Sequence, residues 1–461
     1  MKKLSKLLWI SVLAMSIYAC KDKPVDTPAP SGPTDDKGRV IIDGEIKANR
    51  TLVATEKYIL KNFVYVTDGV TLTIEPGTVI FGDKDSKATL IVERGGKLIA
   101  NGTATSPIVF TSAQPKGSRS YGDWGGIVLA GKAPVNQTSP TMEGGIRGSY
   151  GGTDAADNSG SLKYVRIEFP GIAFQPDKEI NGLTLYGVGS GTTLDYIQVS
   201  YSGDDSFEWF GGTVNAKHLV AHRGWDDDFD TDFGFVGKVQ YGVSLRDPQY
   251  ADKSGSNGFE SDNFDPGTPA TDLITAPVFA NISIFLANNS STLPNPGLGS
   301  GSYTRSMHLR RNTQLSAYNS VFVGHPEGLR LDGNSTWANV LSGAITLKGI
   351  TLAGNATPLK NANPSGETST FSASDLSVGF NDAAKNNSVV ANGTDLNLNP
   401  NTFNLTAPNF LPNAGSPLLT GAVWDGKAND AFFVKETFKG AFGTTNWAQG
   451  WTNFDPQNTD Y

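Results

Sequence analysis

TTLDYIQVSYSGDDSFEWFGGTVNAKHLVAHRGWDDDFDTDFGFVGKVQYGVSLRDPQYADKSGSNGFESDN, from Thr192 to Asn263, repeats one short unit three times. Phe207-Glu208-Trp209-Phe210 follows Asp204-Asp205. Phe229-Asp230-Thr231-Asp232 follows Asp226-Asp227-Asp228. Phe259-Glu260-Ser261-Asp262 follows Ser256-Asn257-Gly258. From Phe207 to Phe229 the step is 22 residues and from Phe229 to Phe259 it is 30. A short strand recurring at such a period, with one longer step for an inserted loop, predicts a solenoid. Side chains alternate across a strand, so Phe207, Phe229 and Phe259 share a face with Trp209, Thr231 and Ser261, while Glu208, Asp230 and Glu260 share the other. The apolar face belongs inside. Equivalent residues of a parallel coil stack about 4.8 Å apart. The expectation is an exposed ladder of Glu208, Asp230 and Glu260 with Asp232 and Asp262 beside it. At about 5 Å and an effective dielectric of about 20, one like-charge pair costs roughly 3 kcal/mol. A cation, a basic neighbour or a shared proton must offset that repulsion.

The same strand pattern extends in both directions. Val70 to Ile74, Thr78 to Phe81, Thr89 to Val92 and Lys97 to Ala100 are short β-branched runs separated by turns such as Glu75-Pro76-Gly77 and Arg94-Gly95-Gly96. Leu72 to Leu90 and Ile80 to Leu98 are both 18 apart, which predicts coils in register at that spacing. Further runs lie at Trp124–Leu129, Leu162–Ile167 and Gly182–Tyr186, then at Ala280–Ile284, Met307–Arg310, Asn319–Val323, Leu329–Asp332 and Ile345–Ile350. Helical periodicity is nearly absent, and Gly, Asn, Thr and Val recur throughout. The string TLTIEPGTVIFGDKDSKATLIVERGGKLIANGTATSPIVFTS resembles the N-terminal coils of secreted bacterial right-handed parallel β-helices. That resemblance implies an all-β, right-handed parallel β-helix over residues 40–430. A β-propeller needs near-equal four-stranded repeats, which the chain lacks; a β-sandwich is the other alternative. The Gly/Ser/Asn/Pro-rich stretches Thr111–Gly160 and Asn288–Ser306 are long enough to build a binding wall on such a solenoid.

The ends have their own signals. Lys2, Lys3 and Lys6 precede an apolar run from Leu7 to Tyr18, too short to span a membrane as a mature helix, and the run ends at Ala19-Cys20. This resembles the lipobox of bacterial lipoproteins, which implies a signal peptide over residues 1–20 and lipidation of Cys20, with an ordinary cleaved signal as the alternative. Residues 21–39, KDKPVDTPAPSGPTDDKGR, read as a flexible tether. Lys21-Asp22 is similar to the charged signal that sends Bacteroidetes lipoproteins to the cell surface, although Lys23 interrupts its usual acidic pair. The resemblance implies outer-membrane anchoring, display to the exterior and a TonB-dependent receptor as partner. Cys20 is the only cysteine, so no intrachain disulfide forms. A formal net charge of −8 argues against nucleic acid. Residues 431–461, AFFVKETFKGAFGTTNWAQGWTNFDPQNTDY, are aromatic-rich and similar to tails of such lipoproteins. The expectation is a cap on the open last coil, with Trp447 and Trp451 serving the cap before any glycan.

Aligning the repeats outward gives one column of Thr184, Glu208, Asp230, Glu260, His308 and Arg330. A second holds Tyr186, Phe210, Asp232, Asp262, Arg310 and Asp332. Acid gives way to base along the axis. Clustered carboxylates suit Ca²⁺, which takes six to eight hard oxygen ligands in loose geometry; the candidate ligands are Glu208, Asp230, Asp232, Glu260 and Asp262. The candidate ligand-binding residues are Glu208, Phe210, Asp232, Asp262, His308 and Arg310, facing a glycan or another extracellular polymer. An enzyme on this face is the alternative. Resemblance to pectate lyases at fold level implies a Ca²⁺-assisted polysaccharide lyase with Arg310 or Arg330 near the abstracted proton. Gly203-Asp204-Asp205 resembles the paired aspartates of polygalacturonases, which makes Asp204 and Asp205 candidate catalytic carboxyls. The Gly-His-Gly and Arg-x-Lys motifs of that family are missing, which favours lyase over hydrolase. Turn aspartates such as Asp204, Asp226 and Asp227 can equally cap backbone N–H groups. His218 and His222 share a strand face about 13 Å apart, too far for one ion, and both are expected at the surface or in turns, with no role assigned to His325.

Overall fold

The computed structural model describes residues 31–138, 140–175, 178–264, 269–286 and 301–461. Cys20 and the expected signal peptide lie outside them, as do residues 21–30 of the expected tether and residues 288–300 of the second expected wall. One sheet contains 26 strands, and its strand pairings are parallel from Val40–Ile46 with Lys57–Val66 through to Thr351–Ala353 with Ser388–Val390. Each strand pairs with the equivalent strand of the coils before and after it, and the chain is a parallel β-helix. Inward residues of successive coils meet ring on ring. Phe207 stacks on Phe229 at 5.7 Å and Phe229 meets Phe259 at 5.3 Å, close to the strand spacing. These rings belong to one apolar core that continues from Val40 to Phe380.

The N-terminal register differs from the 18-residue expectation. Leu72 pairs with Leu98 and Ile80 with Phe110, whereas Leu90 pairs with Val64 and Ile127. The shorter spacing had linked strands that lie in different columns of the coil.

Several long strands bend sharply at one residue in the left-handed region: Asn62, Tyr164, Tyr196, His218, Tyr241 and Asn281, with φ between 51 and 64°. Such φ values disfavour most residues with a Cβ, Asn least among them, and at the tyrosines and His218 ring stacking offsets the cost. Tyr164 and Tyr196 stack at 4.4 Å, Tyr196 and His218 at 4.1 Å, and His218 and Tyr241 at 4.8 Å. His218 is therefore a member of a covered stack, its Nδ1 2.7 Å from Asp195 Oδ1. His222 is fully buried and bonds the Leu405 carbonyl at 2.9 Å, and His325 is fully buried as well. The surface placement expected for His218 and His222 fails because the C-terminal segment covers this side of the solenoid.

That segment does not sit on the last coil. It runs back along the coils. Asn319 brackets Val423, donating to its carbonyl at 3.0 Å and accepting its N–H at 2.7 Å. Gln240 does the same to Val434 at 2.7 and 2.9 Å, and Gln198 to Asn453 at 2.8 Å in both directions. Arg119 then binds the carbonyls of Pro456 and Thr459. Trp447 and Trp451 pack edge-on against the Tyr196 ring. The far end of the core is closed by α1 (Asn334–Leu341) and α2 (Ala373–Phe380), whose Trp337, Leu376 and Phe380 join the apolar interior. The cap expected from residues 431–461 is thus supplied by two short helices.

Candidate functional site

The repeated acidic strands lie side by side as the sequence implied. Thr184, Glu208, Asp230, Glu260, His308 and Arg330 are paired in turn across consecutive coils. Burying the aromatic partners fixes this register, because a one-residue slip would drive the acids into the core. The acids are not an exposed ladder, however. They line a groove of about 440 Å³ together with Glu143 from the loop after Asn136 and with Asp204, Asp205, Asp226 and Asp227 from the turns before the strands. Nine carboxyl groups face three arginines and one histidine there, so the arginines cannot neutralise them all. Glu208 is 8% exposed; Asp230, Asp204 and Asp226 are half-buried.

The turn residues have distinct tasks. Asp205 Oδ1 accepts the Asp227 backbone N–H at 2.8 Å, and Asp227 Oδ1 accepts the Asn257 backbone N–H at 2.5 Å. These two carboxyls pin each coil to the next. Behind them Arg246, fully buried, holds Asp228 at 2.9 Å and the carbonyls of Asn257 and Trp225 at 3.0 and 3.1 Å. The interior guanidinium thereby fixes the backbone of the turn that carries Asp226 and Asp227.

The groove divides into two ends. At the basic end every predicted acid has a cationic partner. Glu260 contacts Arg310 and lies 3.2 Å from His308 Nδ1. Asp262 accepts from Arg310 Nε at 2.7 Å and also pairs with Arg311. His308 Nε2 is 3.4 Å from Asp332, and Arg330 Nη1 is 3.4 Å from Glu327. Burial opposes the ionisation of Glu260, but the His308 hydrogen bond and the charges of Arg310, His308 and Arg305 outweigh it and hold that carboxyl at about 2. Burial alone would lower the Arg310 guanidinium; Glu260 and Asp262 push it above its ordinary range instead. A doubly paired, strengthened cation cannot accept a proton from a substrate, so Arg310 is a poor base.

The acidic end is different. Burial first, and neighbouring carboxylates second, push Glu208, Asp230, Asp204, Asp205 and Asp226 well above the usual carboxyl range. Asp227 and Glu143 rise to about 7 for the same reasons. Asn181 donates to Glu208. Asp230 Oδ1 is buried with no hydrogen-bond partner among the described residues. One oxygen each from Asp205, Glu208 and Asp230 lie within 4.8 Å of one another, as do oxygens from Asp204, Asp205 and Asp226. Two ligands of one Ca²⁺ lie at most about 5 Å apart, since each sits 2.3–2.6 Å from the ion. An all-carboxylate donor set with an orphaned buried oxygen fits Ca²⁺.

Of the five ligands expected from sequence, Glu208 and Asp230 fall within these groups. Glu260 and Asp262 do not, because arginines hold them. Asp232 is turned to its own chain, accepting the Phe233 N–H at 2.6 Å, and lies outside the groove lining. Of the expected ligand-binding residues, Glu208, His308 and Arg310 line the groove. Phe210 does not: it is 4% exposed and stacked between Tyr186 at 4.5 Å and Phe233 at 5.6 Å. The catalytic candidates Asp204, Asp205, Arg310 and Arg330 all line the groove. Sequence reading missed Glu143, Asn181, Asn257 and Arg305. Asn257 and Arg305 could have been found, since they stand two residues before Phe259 and Met307, where Asp205 and Asp227 precede Phe207 and Phe229.

Residues 44–452 match the family model described as a pectate-lyase like beta helix domain. The match takes in the returning segment as far as residue 452. No curated protein and no solved structure matches the chain.

Proposed function

The chain belongs to the pectate-lyase-like β-helix family, and from that premise we propose that its acidic groove binds an extracellular glycan together with Ca²⁺. Family membership supports a carbohydrate-related role. The observation that carries the rest is the gathering of Asp205, Glu208 and Asp230 oxygens within 4.8 Å, together with an Asp230 oxygen buried without a hydrogen-bond partner among the described residues. Asp205, Glu208 and Asp230 would hold the ion, with Asp204 and Asp226 able to hold a second. A bound Ca²⁺ supplies positive charge that draws in the hydroxyl or carboxylate oxygens of a sugar. His308, Arg305 and Arg330 stand at the other end of the groove as donors to the same chain. Cys20 and the charged residues after it support lipid anchoring at the outer surface, and the lipoprotein resemblance supports a TonB-dependent receptor as neighbour. The test is retention of the protein on a panel of insoluble and immobilised polysaccharides in CaCl₂ and in EDTA. Retention in CaCl₂ with release in EDTA is expected; no retention on any polysaccharide under either condition would end the reading.

A polysaccharide lyase on the same face is the second reading, favoured by His308 between Glu260 and Asp332 at the basic end of the groove. Elimination creates a carbon–carbon double bond, so ultraviolet absorbance should grow on incubation with uronate polymers. A flat trace across the panel leaves binding alone.

A further inference from the structure

A second cavity, of about 460 Å³, opens where the returning tail meets the coil turns. Tyr121, Tyr201 and Tyr250 form one side, with ring centroids of Tyr121 5.2 Å from Tyr201 and 4.9 Å from Tyr250. Thr406, Asp455 and Gln457 of the tail form the other. The cavity exists only because the tail folds back, and Tyr121 separates it from the open space that adjoins the acidic groove.

Its cations are already engaged. Arg223 pairs with Asp247 and lies over the Tyr201 ring at 4.7 Å. Arg119 is engaged by the carbonyls of Pro456 and Thr459, and Asp455 stands in the same wall. What remains is directional. Arg223 Nε, a donor, and Gln457 Oε1, an acceptor, are both buried with no hydrogen-bond partner among the described residues. Gln457 is held in place by its other end, its Nε2 donating to the Arg119 carbonyl at 2.6 Å. Buried polar atoms left unpaired are costly, and a cavity lined by aromatic rings with a few fixed polar groups is the ordinary form of a small-ligand site.

We propose that this cavity is a saccharide-binding site, taking sugar units with carbon–hydrogen faces against the tyrosines and hydroxyls toward the Arg223 and Gln457 side chains that line it. A carboxylate gains little here, since no cation in the wall lacks a counter-charge or carbonyl partners. The inference stands apart from the acidic groove and from Ca²⁺.

The experiment is calorimetric titration of the full chain in EDTA with neutral hexasaccharides of cellulose, xylan, mannan and galactan, and with trigalacturonate. At least one neutral hexasaccharide should bind. Thr406→Trp, at an exposed tail position that borders the cavity, should weaken it at least tenfold and leave the melting temperature unchanged. Gln457→Leu should weaken it about tenfold, the loss of one good hydrogen bond. Asp230→Asn should leave it within twofold. If Gln457→Leu melts early, Thr406→Trp decides. Absence of binding by every neutral hexasaccharide would show a cavity filled by solvent only and overturn the proposal. So would binding that Asp230→Asn abolishes and Thr406→Trp leaves intact, or binding of trigalacturonate alone.

Discussion

The backbone N–H of Asp227 donates to the carboxylate of Asp205 on the preceding coil at 2.8 Å. The same contact recurs one coil later between Asn257 and Asp227. Two members of a crowded acidic cluster are therefore also the clips that hold consecutive turns in register. Their chemistry as acceptors is separable from their charge.

Substitutions at Asp205 should separate the two. Asp205→Asn keeps an oxygen for the Asp227 N–H and removes a charge. Asp205→Ala leaves that N–H buried and unpaired, which costs about 1–3 kcal/mol. In urea unfolding without divalent ions, the alanine variant should be less stable than the asparagine variant by that amount. Equal stabilities would show that the clip contributes nothing.

Asp230 and Glu260 occupy adjacent rungs of one column, yet their substitutions should act in opposite directions. Asp230 is repelled by Glu260 and Asp227 and has an orphaned oxygen. Asp230→Asn should raise the melting temperature in EDTA and remove most of the rise that Ca²⁺ gives the native chain; at a hundred times its dissociation constant an ion adds about 2.7 kcal/mol. Glu260→Gln strips a partner from Arg310 and His308. Removing one member of a buried pair costs about 3–5 kcal/mol, and the partial exposure of both groups places the expected loss at the low end. A stabilising Glu260→Gln would count against the pairing.

The contrast also marks what was legible in the sequence. Phe207, Phe229 and Phe259 announced their own register, because an aromatic every coil must point inward and the next residue must then point out. The column through His308 and Arg330 followed from the same logic. Burial did not follow, because the walls come from elsewhere. Glu143 arrives from a long loop and Asp204 and Asp226 from turns, and a strand pattern cannot show that they deepen a face into a groove. The pairing of Glu260 with Arg310, two positions along on the next coil, depends on side-chain reach rather than on stacking. The 18-residue spacing misled because Leu72 and Leu90 look alike on any column. The tail misled for a different reason: its anchors Gln198, Gln240 and Asn319 are ordinary polar residues until a second chain segment lies across them.

The acidic end also sets a pH dependence. Burial, then neighbouring carboxylates, raise Asp204, Asp205, Asp226, Glu208 and Asp230 well above the ordinary range, and Asp227 and Glu143 to about 7. Without a metal, the folded protein then holds more protons than the unfolded chain, whose carboxyls titrate near about 4. Stability is full below that value and is lost as pH rises through the folded values. Glu260, held at about 2, contributes in the opposite sense and only in acid below about 4. Between pH 5 and about 8, the melting temperature in EDTA should therefore fall as pH rises. Excess Ca²⁺ should flatten or reverse the slope, since the ion binds the deprotonated groups. A melting temperature in EDTA that does not change across this range would contradict the carboxyl cluster as described.

The returning tail gives the last prediction. Gln240 both donates to and accepts from the Val434 backbone, and Gln198 treats Asn453 likewise. Each glutamine imitates one rung of a sheet, with the side-chain amide standing in for a peptide. Gln240→Ala removes three hydrogen bonds, the two to Val434 and the donation to Asn281 Oδ1 at 3.0 Å, worth about 1 kcal/mol each, and leaves the Val434 N–H to find water. Gln240→Glu keeps an acceptor for that N–H and sets a carboxylate against the Val434 carbonyl, so it should be at least as damaging. The tail covers the Tyr164, Tyr196 and His218 stack through Trp447 and Trp451. Loosening it should therefore expose tryptophan and tyrosine before the coils unfold. Limited proteolysis should cut Gln240→Ala within residues 431–461 faster than the native chain, with a red shift in tryptophan emission, while the far-ultraviolet circular dichroism of the coils persists. Cleavage that begins in the coils, or is no faster than in the native protein, would mean that the glutamine rungs do not hold the tail.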